Sequence, residues 1–252
     1  MKTAIITGAS SGLGREFARQ LADVFPDIEC CWLIARREDR LEEAAREMVG
    51  VETVCLPLDL CDPASFTALR EKLAAERPEV RLLVNNAGCG YLGLMGEVPT
   101  DTQTRMVDLN LRAMTAVTNE VIPYMPAGAH ILNTSSIASF CPTPRMTVYG
   151  ATKAYVSSFT VGLSEELRRR EITVTAVCPG PMKTEFLEVG KITGRSPAFE
   201  LLPYCDLIRV AEGALRAAKA GRTIYTPRLF YKFYRLLAKV TPAKLMVKLT
   251  KT

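Results

Sequence analysis

The sequence predicts an α/β fold in which a parallel sheet is covered by helices, and three observations predict it. Short β-branched or apolar runs alternate with longer segments of helical period, the order that builds βαβ units. The first of these runs passes directly into a glycine-rich turn and then into a helix. The length of 252 residues suits one continuous core of this type, so the expectation is one domain spanning residues 1–252.

Taken in order, Thr3–Thr7 is the first strand, and Leu13–Val24, with apolar residues at three- and four-residue intervals, is the first helix, closed by Pro26. Cys30–Ala35, Thr53–Pro57 and Leu82–Asn85 are the next strands, separated by helices over Leu41–Val49 and Ala64–Glu76. Asp62-Pro63 announces the latter helix, an N-cap aspartate followed by proline at the first helical position, where its missing N–H costs nothing. Helices over Thr104–Ile122 and Val148–Arg169 then alternate with strands over His130–Thr134 and Thr173–Cys178. The stretch Pro179–Pro203, rich in Gly, Pro and Thr, lacks either period and reads as a flap, with residues 181–203 placed over a site. Two Thr-Pro pairs, Thr226-Pro227 and Thr241-Pro242, read as caps of two short helices in residues 227–252.

Composition removes several function classes. The hydrophobic set makes up 48% and charged residues 23%, the balance of a folded globular chain. The one histidine, His130, leaves neither a zinc site nor a Ser-His-Asp hydrolase the imidazoles it needs, so no metal is expected. Eight cysteines show no CxxC spacing and read as reduced core thiols. The apolar run at the start is too short for a signal peptide, and no stretch approaches the roughly 18 apolar residues of a membrane span, so a cytoplasmic protein is expected. Basic charge gathers at the end, where Arg228, Lys232, Arg235, Lys239, Lys244, Lys248 and Lys251 stand with no acidic residue among them. The remainder is near neutral, which argues against a nucleic-acid partner.

The chemistry lies in four places. Thr7-Gly8-Ala9-Ser10-Ser11-Gly12-Leu13-Gly14 puts glycines between a strand and a helix, where backbone must approach a pyrophosphate facing the helix N-terminus. Tyr149 and Lys153 stand four residues apart on one helix face, so an ammonium can lower the pKa of a neighbouring phenol and make it a general acid/base. Ser136 ends a strand, where open α/β sheets bind ligands, and its hydroxyl can hold a substrate oxygen. Arg36, at the end of the second strand, stands where a carboxylate would bind a ribose 2′-hydroxyl, and its guanidinium suits a 2′-phosphate instead, favouring NADP(H). Arg15 nearby reads as a solvated side chain, Arg37 reads equally as solvent-facing or as a phosphate contact, and Ser11 leaves the position before the middle glycine without a basic residue.

Together with Asn85-Asn86-Ala87-Gly88 and Pro179-Gly180, these motifs resemble the short-chain dehydrogenase/reductase family in order and spacing across residues 7–184. The resemblance implies a doubly wound Rossmann-like domain with a seven-stranded parallel sheet. It implies that Tyr149 exchanges a proton with the substrate oxygen during hydride transfer, that Ser136 hydrogen-bonds that oxygen, and that Lys153 holds the nicotinamide ribose and lowers the tyrosine pKa. Asn110 matches the asparagine that positions a proton-relay water. Cofactor contacts carry over to Gly8, Ser10, Ser11, Gly12, Leu13 and Gly14 at the pyrophosphate, and to Asp59 and Leu60 at the adenine. Asn86, Ala87 and Gly88 fall beside the adenine ribose, and Pro179, Gly180 and Thr184 near the nicotinamide. Asn85 reads as a sheet-stabilising residue.

The expected activity is hydride transfer between NADP(H) and the carbonyl or alcohol carbon of a small substrate. Leu92, Leu94, Met95, Phe140, Met182, Phe186 and Leu187 are candidate lining that points to an apolar substrate, and core packing accounts for any one of them equally well. A non-catalytic NADP(H)-binding redox sensor is the alternative, since fold alone never proves chemistry. Resemblance implies a homo-oligomer through 104–122 and 148–169. The basic amphipathic tail offers two readings, packing on the body or a second subunit, or peripheral contact with a membrane.

Overall fold

A computed structural model describes residues 1–192 and 202–249. Seven parallel strands form one sheet in the order β3-β2-β1-β4-β5-β6-β7. They are β1 (Lys2–Thr7), β2 (Cys30–Ala35), β3 (Glu52–Pro57), β4 (Glu79–Asn85), β5 (His130–Thr134), β6 (Thr173–Val177) and β7 (Ile224–Tyr225). The order reverses between β1 and β4, which opens a crevice at their carboxyl ends.

Alternation along the strands sorts the core into two layers. Ile6, Cys31, Leu33, Leu82 and Val84 face one way and pack on Phe17, Leu21, Ala214 and Leu215. Ile5, Cys30, Trp32, Ile34 and Leu83 face the other and pack on Leu69, Leu73, Val117 and Leu163. Both faces being covered, β1 and β2 read as nearly continuous apolar runs. Cys30 and Cys31 are fully buried on opposite faces, and all eight cysteines are free thiols. His130 donates to or accepts from Thr173 at 2.8 Å, and burial, followed by nearby Lys219, lowers its pKa.

The helices are α1 (Gly12–Arg19), its continuation α2 (Leu21–Val24), α3 (Glu38–Arg46), α4 (Pro63–Glu76), α5 (Thr100–Val107), α6 (Met114–Val121), α7 (Thr147–Glu166), α8 (Glu185–Val189), α9 (Leu207–Lys219), α10 (Leu229–Val240) and α11 (Ala243–Leu249). Asp62 caps α4, accepting from the Ala64 amide at 2.9 Å with Pro63 following. The span expected as one helix over Thr104–Ile122 is α5 and α6 joined by a π-helical turn, Asp108–Ala113, and such turns frequently mark functional sites.

The tail does form two helices, but Thr226 does not cap the first. Its hydroxyl is buried without a hydrogen-bond partner among the described residues, and α10 starts after Arg228, held at φ 63 with its guanidinium donating to the Tyr204 carbonyl. That left-handed residue, not a threonine cap, sets the entry of the helix. Residues 193–201 of the expected flap and 250–252 of the tail lie outside the described residues.

Candidate active site

The candidate residues gather at the carboxyl ends of β1, β4, β5 and β6. Gly8 leaves β1 at φ 67, and a Cβ there would stand 2.8 Å from the Ala87 Cα. Gly14 is tighter still: a Cβ on it would overlap the Gly8 carbonyl oxygen, so α1 can begin only where this residue has no side chain. The turn is tied down further by the Thr7 hydroxyl, which accepts from the amides of Asn86 and Ala87, each at 3.0 Å. Asn86 donates through Nδ2 to the Thr7 and Gly8 carbonyls and accepts from the Thr134 hydroxyl, joining β1, β4 and β5 at the crevice. Ser10 and Leu13 are buried in this turn, while Gly12 lies under Thr184, whose methyl would be 3.5 Å from a Cβ there.

Asn85 faces the interior instead. It donates to Thr118 and Asn133, each at 2.9 Å, and Asn133 donates to Thr160, a buried chain that pins β4 and β5 to α6 and α7. The sheet-stabilising reading of Asn85 is the one its contacts support.

Ser136 follows β5 in extended backbone and caps a short turn, accepting from the Ala138 amide at 3.1 Å. One α7 turn separates Tyr149 from Lys153, and both are buried, at 8% and 5% exposure. Burial pushes the Tyr149 phenol up to about 12, relieved only in part by a hydrogen bond to Ser136. Burial also pulls the Lys153 ammonium down to about 8. The expected lowering of the tyrosine pKa by its neighbour is absent in this geometry. The Lys153 Nζ donates to the Thr134 carbonyl at 2.7 Å and stands 5.8 Å from the Tyr149 ring centroid, so desolvation dominates.

Asn110 sits in the π-helical turn with its side chain fully engaged. Nδ2 donates to the Cys89 carbonyl and the Thr152 hydroxyl, and Oδ1 accepts from the Cys89 amide, all at 2.9 Å. Asn110 thereby holds the Gly88–Cys89 backbone, where a Cβ on Gly88 would come within 3.5 Å of the Lys153 Nζ.

Over Tyr149 lies an apolar cover. Phe186, from α8, has its ring centroid 5.6 Å from that of Tyr149, and Leu92, Met106, Met146, Leu187 and Ile192 complete the cluster. The Leu92 amide donates to the Gly190 carbonyl at 3.0 Å, fastening the end of α8 to the segment after β4. Of the apolar residues expected to line a substrate, Leu92, Phe186 and Leu187 are here, whereas Leu94 and Met95 are exposed and Met182 packs against the core layer that holds Phe17 and Leu21. Phe140 pairs with Tyr234 of α10, 6.1 Å between centroids.

Around the nucleotide end, charge is distributed unevenly. Arg15 pairs with Glu43 and Glu47, and Arg37 pairs with Glu185 at 2.9 Å. Arg36 is exposed and has no ion-pair or hydrogen-bond partner among the described residues. Burial opposes ionisation of Asp59, but the Cys61 amide and the Arg105 guanidinium outweigh it and hold the carboxyl below its ordinary range. Leu60 beside it is buried in the core. Pro179 accepts from the Ile137 amide at 3.1 Å, and Gly180 lies flat under the Tyr231 ring.

Sequence reasoning passed over four residues of this region: Arg105, Thr152, Gly90 and Glu185. Thr152 and Arg105 act through partners far away in sequence and carry no local signal. Gly90, which has no room for a Cβ beneath Phe186, and Glu185, which opens α8 and bonds Arg37, could have been suspected from their places after β4 and within the flap.

A doubly wound sheet with a glycine cradle, a capped crevice and a Ser-Tyr-Lys group beside it defines a nucleotide-binding oxidoreductase of the Rossmann-like class. The chain belongs to the short-chain dehydrogenase family, whose sequence model matches residues 2–191. It is 38% identical to sulfoacetaldehyde reductase 2 of Chromohalobacter salexigens over 192 residues, covering 72% of this chain and 73% of that one. It is 32% identical to the very-long-chain 3-oxoacyl-CoA reductase of Anas platyrhynchos over 221 residues, covering 84% and 68%. Among solved structures, a short-chain dehydrogenase from Sphingobium yanoikuyae in complex with NADPH superposes with a TM-score of 0.81 at 28% identity, covering 98% of this chain and 95% of that one. One from Burkholderia phymatum in complex with NAD superposes with a TM-score of 0.80 at 25% identity, covering 100% and 95%.

Proposed function

We propose that this protein is an NADP(H)-dependent reductase or dehydrogenase acting on the carbonyl or alcohol carbon of a small apolar substrate. The observation that carries the reading is the convergence of Ser136, Tyr149 and Lys153 beside the glycine cradle at the sheet's switch point. The cradle fits the cofactor: Gly8 and Gly14 leave no room for side chains, and Arg36 is without a partner among the described residues. Gly8, Ser10, Ser11, Gly12, Leu13 and Gly14 would hold the pyrophosphate and Arg36 the 2′-phosphate. Asp59 and Leu60 would meet the adenine, Asn86, Ala87 and Gly88 its ribose, and Pro179, Gly180 and Thr184 the nicotinamide end. Bound there, NADP(H) supplies or accepts the hydride.

The chain's own residues do the rest. Ser136 donates a hydrogen bond to the substrate oxygen and steadies charge developing on it. Tyr149 gives or takes the proton at that same oxygen. Lys153, released from the Thr134 carbonyl, favours the phenolate and holds ribose hydroxyls. Asn110 is a positioning residue that fixes the Gly88–Cys89 backbone beside Lys153, where a relay water has its place. Phe186 and Leu187 exclude bulk water from the proton-transfer step, and the same apolar cover supports an apolar substrate.

NADPH oxidation against ketones and aldehydes, from short aliphatic compounds to steroids and long-chain acyl ketones, tests the proposal. Turnover with NADPH stronger than with NADH supports it. Tight NADPH binding with no turnover across the panel favours the sensor instead.

A further inference from the structure

We propose that α10 and α11 form a docking surface for an anionic lipid bilayer, on which the protein lies without spanning it. The inner face of α10 is fixed by the body. Tyr231 is fully buried against Gly180, its hydroxyl donates to the Pro203 carbonyl at 2.7 Å, and Tyr234 meets Phe140. The opposite face is thereby turned outward, and it is apolar. Leu229, Phe233, Leu236 and Val240 recur at helical spacing with exposures of 80%, 66%, 60% and 73%, and Phe230 and Leu237 widen the stripe. Soluble proteins seldom leave a contiguous apolar face of this kind to water.

The charge beside the stripe identifies what covers it. Arg228, Lys232, Arg235 and Lys239 each precede one of the four stripe residues and line one edge of it, with Lys232 and Lys239 exposed, Arg235 half-buried and Arg228 turned to the Tyr204 carbonyl. Lys244 and Lys248 continue the charge on α11, where Leu245 is exposed and Met246 is turned inward. No acidic residue occurs between residues 227 and 249. A two-fold contact between copies would set this edge against itself, with no carboxylate on either helix to neutralise it. A bilayer surface meets both features: the leucine and phenylalanine side chains enter the acyl boundary while lysine stems reach back to phosphate groups. No helix among the described residues is long and apolar enough to cross a membrane, so the contact is parallel to the surface. The proposal does not depend on the catalytic reading.

Co-sedimentation of the full-length chain with vesicles of phosphatidylcholine and phosphatidylglycerol, compared with phosphatidylcholine alone, tests it. The wild type should pellet with the mixed vesicles, and less so with the neutral ones or in high salt. Leu229→Ser with Phe233→Ser, and separately Lys232→Glu with Lys239→Glu, should each weaken that binding at least about tenfold. These positions are exposed, so circular dichroism and NADPH binding should be unchanged. A wild type that stays in the supernatant overturns the proposal, as does equal binding to neutral vesicles or binding that neither double variant alters. A fall in molecular mass of the Leu229→Ser, Phe233→Ser variant by light scattering would assign the face to subunit contact and overturn it too.

Discussion

Replacing Arg36 by alanine should separate the two nicotinamide cofactors. Arg36 is exposed at the end of β2, so its removal should leave stability within about 0.5 kcal/mol. Its neighbours cannot substitute without cost, because Arg15 is held by Glu43 and Glu47 and Arg37 by Glu185. A hydrogen-bonded guanidinium–phosphate contact contributes about 1.5–3 kcal/mol, which corresponds to roughly 10- to 150-fold in Kd. Fluorescence titration with NADPH should therefore show a loss of that size in Arg36→Ala, while the Kd for NADH stays nearly constant. Equal losses for both cofactors would refute the reasoning, since the 2′-phosphate is what distinguishes them. A larger effect of Arg37→Ala than of Arg36→Ala would also refute it.

Lys153 makes stability depend on pH. Burial lowers its folded pKa from 10.5 to about 8, so between these values the unfolded chain holds the proton that the folded chain has lost, and stability rises with pH. The rise should reach at most about 3 kcal/mol in urea unfolding and vanish in Lys153→Met, whereas parallel profiles for the two proteins would contradict it. It should be read below about pH 10, where the raised pKa of Tyr149 starts to act in the opposite direction. Gly14→Ala forces a methyl onto the Gly8 carbonyl and should destabilise by about 1–3 kcal/mol with loss of NADPH binding. Gly162→Ala in α7, with open space around it, should be neutral or stabilising by up to about 1 kcal/mol, and similar melting shifts for the pair would sink the comparison. Glu185→Gln removes a carboxylate that pairs with Arg37 beside the cradle, so NADPH should bind about two- to fivefold tighter; an unchanged Kd in calorimetry would show that this carboxylate does not compete with phosphate.

Much of the sheet was legible in the sequence because buried parallel strands are compact apolar runs. Cys30–Ala35 and His130–Thr134 have the bounds expected of them. β7 was not legible, since Ile224–Tyr225 is too short to show a period and is recognised only by its pairing with Ala176 and Val177. Helix α9 went unread although Asp206 caps it, accepting from the Arg209 amide at 2.9 Å. Four of its six inward residues, Ala211, Ala214, Ala217 and Ala218, are alanines, which blunt the apolar period that Val210 and Leu215 carry. The π-helical turn around Asn110 is invisible to periodicity because helix continues on both sides of it. Within the site, the positions of Gly8, Ser136, Tyr149 and Lys153 followed from motif spacing. The electrostatic state of Tyr149 did not, because it depends on how completely Phe186 and the segment after β4 exclude water.

The most direct test of proton transfer by Tyr149 is the rate of nicotinamide absorbance loss on a substrate carbonyl, with NADPH Kd measured on the same samples, for wild type and Tyr149→Phe. The account predicts turnover in the wild type, and a fall of at least about a hundredfold in the variant with an NADPH Kd that is nearly unchanged. Turnover retained by Tyr149→Phe at the wild-type rate would contradict it.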